Sequence, residues 1–145
     1  MQFKPELIEK ILSGQKTQTR RPVKPGDQIF TMGISPRGWE VRDRNNRRIY
    51  GCHRDYAVCP GRGKKQVARI RILDIRREDV RDIILPESWF EGFPDPRSFL
   101  KVWCVFYDPP GVHIVESAWD DWYTPLFLRP DHLYDAWALT FELVR

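Results

Sequence analysis

The chain has no long apolar run. None of its segments approaches the roughly 18 consecutive apolar residues that a membrane-spanning helix requires. Its first residues, Met1-Gln2-Phe3-Lys4-Pro5, hold no apolar core of a secretory signal. From these absences we expect a cytoplasmic protein with no membrane partner. Cysteine is scarce. Cys52, Cys59 and Cys104 are an odd number without CxxC spacing, which fits reduced thiols rather than a disulfide framework. Only three histidines occur, His53, His113 and His132. Cys52, His53 and Cys59 match no standard zinc spacing and lack an evident fourth ligand, so no metal is expected. His113 and His132 stand alone and read as surface or packed residues rather than bases. Repeats, linkers and low-complexity segments are also missing, and 145 residues suffice for one core, so residues 1–145 read as a single domain.

What is present is aromatic mass and positive charge. Six Trp, eight Phe and five Tyr in a chain that is 41% hydrophobic can build a core without disulfides or metal. The charge is uneven. Residues 1–81 hold 20 Lys/Arg against 9 Asp/Glu, and residues 82–145 hold 4 against 11. A half this basic suits an anionic partner, of which nucleic acid is the commonest. It equally suits a solvated surface, and both halves can share one barrel.

The apolar spacing predicts a first helix over Pro5 to Leu12, with Leu7, Ile8, Ile11 and Leu12 on one face and Gly14 ending it. Pro25-Gly26-Asp27 reads as a turn and Gln28 to Met32 as a strand. Trp39 to Asp43 and Arg47 to Tyr50 read as a hairpin around Asn45-Asn46. Val67 to Ile75 is a strand with Ala68, Ile70 and Ile72 on one face and Arg69 and Arg71 on the other. Arg77 to Ile83 reads as a short helix and Glu91-Gly92-Phe93 as a turn. Asp95 caps a helix that runs to about Tyr107, with Pro96 first and Phe99, Val102, Trp103 and Phe106 as its core face. Val112 to Trp122 reads as a strand or an ordered loop. Ala136 to Val144 is the clearest strand, by its alternation of Trp137, Leu139, Phe141 and Leu143. Intermixed elements without βαβ alternation give an α+β fold, with a mainly antiparallel sheet that can close into a small barrel flanked by helices.

Two stretches could carry chemistry. Gly14-Gln-Lys-Thr-Gln-Thr-Arg-Arg21 has no apolar side chain, yet lies between well-signalled elements, as functional loops do. Lys16, Arg20 and Arg21 could contact phosphates. Alternatively Lys16, with its pKa depressed by the neighbouring cations, could deprotonate the Thr19 hydroxyl. A carboxylate elsewhere would then serve the leaving group. A regular strand points Lys16 and Thr19 to opposite faces, so joint action requires a bend between them. Cys59-Pro-Gly-Arg-Gly-Lys-Lys65 departs from the Walker pattern at Val58 and Lys65. Its Arg62, Lys64 and Lys65 are either phosphate contacts or an exposed turn. Trp119, Trp122 and Tyr123 either stack on a base or pack at a barrel rim.

The Gly-Gln-Lys-Thr-Gln-Thr-Arg-Arg stretch after an N-terminal helix resembles the ASCH domain family, in particular its small bacterial and phage-borne members. The likeness continues through Pro25-Gly26-Asp27, Tyr56 to Lys65, Ala68 to Ile72 and Glu91-Gly92-Phe93, so it spans most of the chain. It implies a PUA-like β-barrel. Some compact members resemble amidohydrolases that remove the acyl group of N4-acetylcytidine. The resemblance therefore implies catalytic roles for Thr19 as nucleophile, Lys16 as base and Glu91 as proton carrier, with no cofactor. Other members bind or cleave RNA, so a non-catalytic RNA-binding module and a ribonuclease are the alternatives. The chain is longer than the compact hydrolases at Gly33 to Tyr56 and at Asp108 to Asp135.

Overall fold

The computed structural model describes residues 1–32, 38–107 and 134–145. Helix α1 spans Pro5–Leu12. Lys4 is extended before it, as a residue preceding proline must be, and Pro5 occupies the first turn, where no N–H is missed. Ile8 and Ile11 are buried, whereas Leu12, expected on the same face, is exposed. The strands are β1 (Gln18–Pro22), β2 (Gln28–Met32), β3 (Gly38–Arg42), β4 (Arg48–Gly51), β5 (Asp55–Val58) and β6 (Ala68–Asp79). A 3-10 turn at Val80–Asp82 leads to α2 (Leu85–Phe90), α3 (Pro96–Tyr107) and β7 (Asp135–Val144).

All named strand pairings are antiparallel. They form a four-stranded sheet in the order β1-β7-β6-β5 and a three-stranded sheet in the order β2-β3-β4. The α+β class holds, and among the described residues the strands make these two sheets rather than one closed ring. Val41, Cys52, Ile72, Ile75, Trp137 and Leu139 join the sheets in one apolar cluster. Phe3, Ile8, Ile11, Val58, Ile70 and Phe141 seat α1 on the larger sheet. Val80, Ile83, Phe99, Leu100, Trp103, Cys104 and Ala136 seat α3 near the other end of β7.

The β3–β4 hairpin turns through Arg44-Asn45-Asn46. Asp43 accepts from the amides of Asn45 and Arg47 at 2.8 and 2.9 Å. Asn46 takes the left-handed conformation, φ 59°, which asparagine tolerates better than most residues. In β6 the pairing with β7 slips between Ile72 and Asp74. The extra residue, Leu73, is exposed, and the slip returns Ile75 to the core beside Ile70 and Ile72.

Two expectations need correction, and one element went unread. Residues 77–79 continue β6 instead of opening a helix, because they pair with β7 through Arg77–Trp137 and Asp79–Asp135. Only Val80–Asp82 coils, with Asp79 accepting from the amide of Arg81. Helix α2 was not foreseen. In α3 the core stripe is Phe99, Leu100, Trp103 and Cys104, while Val102 is half-buried and Phe106 exposed. The cap foreseen at Asp95 is present: its carboxylate accepts from the amide and hydroxyl of Ser98 at 2.8 and 2.9 Å. Val112 to Trp122, with His113, Tyr123 and His132, lies outside the described residues.

Candidate active site

The polar stretch after α1 is held at several backbone points. Gly14 ends the helix at φ 78°. The Lys16 amide donates to the Lys10 carbonyl and the Thr17 amide to the Phe90 carbonyl, each at 2.9 Å. The Thr17 carbonyl accepts from Phe141 at 2.8 Å. Lys16 therefore lies in the turn before β1, not in the strand, and strict alternation does not govern its side chain.

Lys16 is 2% exposed. Its ammonium donates to the Gln18 carbonyl at 2.6 Å, to the Glu91 carbonyl at 2.7 Å and to Glu91 Oε2 at 2.8 Å, which commits all three N–H groups. Burial pushes its pKa below the ordinary lysine value. The Glu91 carboxylate opposes that shift, and the cations Arg21 and Arg20 add to it. Desolvation outranks the neighbouring cations as the cause, which composition could not show.

Glu91 closes the last turn of α2 and is itself buried. Gly92 follows at φ 89°. A Cβ there would lie 3.1 Å from Lys10 Cδ and 3.3 Å from Leu7 Cδ2. Glycine thus provides both the left-handed turn and the close approach of α1 that set Glu91 against Lys16.

Arg20 is sealed from solvent at its side chain. It reaches Glu91 Oε1 and Glu87 Oε2, each at 3.1 Å, and pairs with Glu78. The register explains this reach. Arg20 lies opposite Ala138 on β7, and Glu78 lies opposite Ala136. The small alanines let the guanidinium cross the strand between β1 and β6. Arg20 was a candidate phosphate contact; it stands instead at the centre of three carboxylates. Glu78 and Glu87 were not foreseen. Glu87 precedes Glu91 by one helical turn, whereas Glu78 lies on β6 and meets them only through the fold.

These groups line a cavity of about 540 Å³, within the size range of small-molecule sites. Lys16, Thr19, Arg20, Arg21 and Glu91 are on its wall, together with Phe3, Phe93, Phe99, Trp103, Phe106 and Tyr107. Thr19 is buried and makes no hydrogen bond to Lys16 among the described contacts. It pairs with Leu139, so it faces the opposite side of β1 from Arg20. The cavity borders this edge strand and meets both residues. Arg21 is half-buried and donates to the Gln2 carbonyl at 2.8 Å. Arg62, Lys64 and Lys65 are exposed and not on the wall, although Pro60 and Gly61 of the same loop are. No cluster of three or more His, Cys, Asp or Glu capable of holding a metal occurs among the described residues. Nor is any described helix long and apolar enough to cross a membrane.

No protein-family model and no curated protein matches the chain. Among solved structures, the chain is similar to the crystal structure of protein EF3133 from Enterococcus faecalis V583, which carries the family model DUF984. The TM-score is 0.55 at 12% identity, covering 94% of this chain and 68% of that one. At that identity the likeness shows the fold alone.

Proposed function

We propose that the chain is a cytoplasmic amidohydrolase of ASCH type, its two sheets forming a PUA-like barrel, that removes an N4-acyl group from a cytidine-like nucleoside. The observation that carries this reading is the buried contact between Lys16 and Glu91, 2.8 Å, on the wall of a cavity that Thr19 shares. An ion pair this buried gives little net stability in general, and perturbed titratable pairs in a cleft are candidates for catalysis.

In the ion pair Lys16 is a donor and not a base. Moving one proton from Nζ to Glu91 Oε2 gives a neutral amine beside a carboxylic acid, and the burial of Lys16 favours its neutral form. The amine then takes the Thr19 hydroxyl proton while the oxygen bonds to the acyl carbon, whose carbonyl becomes an oxyanion. As the oxyanion collapses, the C–N bond breaks and Glu91 protonates the departing exocyclic nitrogen. Cytidine leaves and an acyl ester remains on Thr19. Water gives a proton to the Glu91 carboxylate as it attacks that ester. The Lys16 ammonium returns its proton to the Thr19 oxygen, which frees the product acid and leaves the neutral amine beside protonated Glu91; return of that proton to Lys16 restores the ion pair.

The test is wild type and Thr19→Ala on N4-acetylcytidine, with released cytidine measured by chromatography and a labelled structured RNA assayed in parallel. Wild type is expected to release cytidine, with a loss of about 100-fold or more in the variant. Undiminished release by the variant, or RNA bound or cleaved with no cytidine formed, would refute the reading.

A further inference from the structure

Among the described residues, the cavity wall carries cations that no carboxylate pairs with. Its inner group is compensated: Lys16 and Arg20 face Glu91, with Glu78 and Glu87 also on Arg20. The other cations on the wall are Lys4, Lys10 and Arg21. Lys10 donates to the Gly92 carbonyl and Arg21 to the Gln2 carbonyl, both neutral acceptors. The Lys4 ammonium lies 4.6 Å from the Phe106 ring centre, and the Arg21 guanidinium 5.0 Å from that of Phe3. None of the three takes part in an ion pair among the described residues. Elsewhere Arg42, Arg48, Arg71, Arg77 and Arg81 each hold a carboxylate. Among the described residues of the wall, the one carboxylate besides Glu91 is the exposed Glu6.

The positive end of α1 opens onto the same wall. Lys4, at its N-cap, provides no side-chain acceptor for the first amides, and Lys4, Pro5 and Glu6 all line the cavity. Pro5 has no N–H and the Leu7 amide donates to the Lys4 carbonyl at 3.0 Å, so among the described contacts the Glu6 amide is the donor left at this helix start, and the cations beside it suit the place to an anion. Exposed Arg62, Lys64 and Lys65 stand on the loop whose Pro60 and Gly61 meet the cavity. They raise the local positive potential.

We propose that the substrate carries a phosphate monoester held by Lys4, Lys10 and Arg21, while its acyl end reaches Lys16, Thr19 and Glu91: an N4-acylcytidine monophosphate rather than the free nucleoside. The acyl end rests on the amidohydrolase reading; the phosphate rests on the unpaired cations. A cavity of about 540 Å³ has room for one nucleotide.

The experiment has a binding arm and a turnover arm. Calorimetry of wild type with cytidine and with cytidine 5′-monophosphate should show the monophosphate binding about 10-fold tighter or more at low salt. That advantage should shrink as salt is raised, and in the Lys4→Met/Arg21→Met double variant. In the turnover arm, kcat/KM for N4-acetylcytidine 5′-monophosphate should exceed that for N4-acetylcytidine by a similar factor. Tighter binding of the monophosphate with neither acyl compound hydrolysed would refute the amidohydrolase and leave the phosphate site standing. Hydrolysis with no preference for the monophosphate in either arm would refute the phosphate site alone. Failure of both ligands to bind, or much tighter binding of a short single-stranded RNA, would overturn the phosphate proposal. The salt titration uses wild type, so the outcome does not depend on the variant folding.

Discussion

Lys16 is the residue on which the site turns, and its burial has a consequence that does not depend on any substrate. Burial lowers its pKa from the ordinary 10.5. Between the folded value and 10.5 the unfolded chain therefore holds a proton that the folded chain releases. Stability contributed this way rises with pH across that window, by at most about 1.4 kcal/mol per pH unit. Burial raises the pKa values of Tyr50 and Tyr56 above 10.0, which produces the opposite slope only above that pH. Urea midpoints measured from about pH 8 to 10 should therefore climb more steeply in wild type than in Lys16→Met. Parallel pH profiles for the two proteins would show that Lys16 does not release its proton in that range. Lys16 and Thr19 were legible because a stretch with no apolar side chain stood between two clear elements. Glu91 was not separable from the other glutamates by residue type. It meets Lys16 across 75 positions of sequence, and only the family resemblance singled it out.

At the scale of elements, what was legible followed from period and punctuation. The alternation in β7, the proline starts of α1 and α3 and the asparagine turn of the first hairpin each had a local cause. What failed was decided by tertiary contacts. Arg77 to Asp79 read as the start of a short helix, yet pairing with β7 keeps them extended. Helix α2 is only six residues long, too short for a periodic signal. Its function in the fold lies at its end, where Glu91 and Gly92 turn under α1. A Gly92→Ala variant would place a Cβ 3.1 Å from Lys10 Cδ at φ 89°. We expect a loss of about 1–2 kcal/mol in urea unfolding. The proposed mechanism further predicts a fall of about 10-fold or more in turnover of N4-acetylcytidine, since the turn aims Glu91. A variant as stable and active as wild type would show that the turn relaxes without moving the carboxylate.

The α+β class of the whole molecule was legible from its intermixed elements, but the arrangement into two sheets was not, because strand partners are set by long-range register. One strand does most to unify the structure. β7 contributes Ala136 to the α3 cluster, Phe141 to the α1 cluster, and Trp137 and Leu139 to the cluster between the sheets. It also pairs with both β1 and β6. Arg20 ties the same regions together through charge, linking β1 to β6, to α2 and to Glu91 at the end of α2. No core cluster can melt without releasing a face of β7, and no ion pair of Arg20 can open without exposing a buried charge. The chain should therefore unfold as one cooperative unit. In a urea titration, tryptophan fluorescence, far-UV circular dichroism and binding of cytidine 5′-monophosphate should be lost at one midpoint. Loss of binding well before the other two signals would mean that the turn carrying Lys16 and Glu91 opens independently of the sheet. The polar stretch from Gly14 to Arg21 would then be a mobile loop rather than a fixed wall of the cavity.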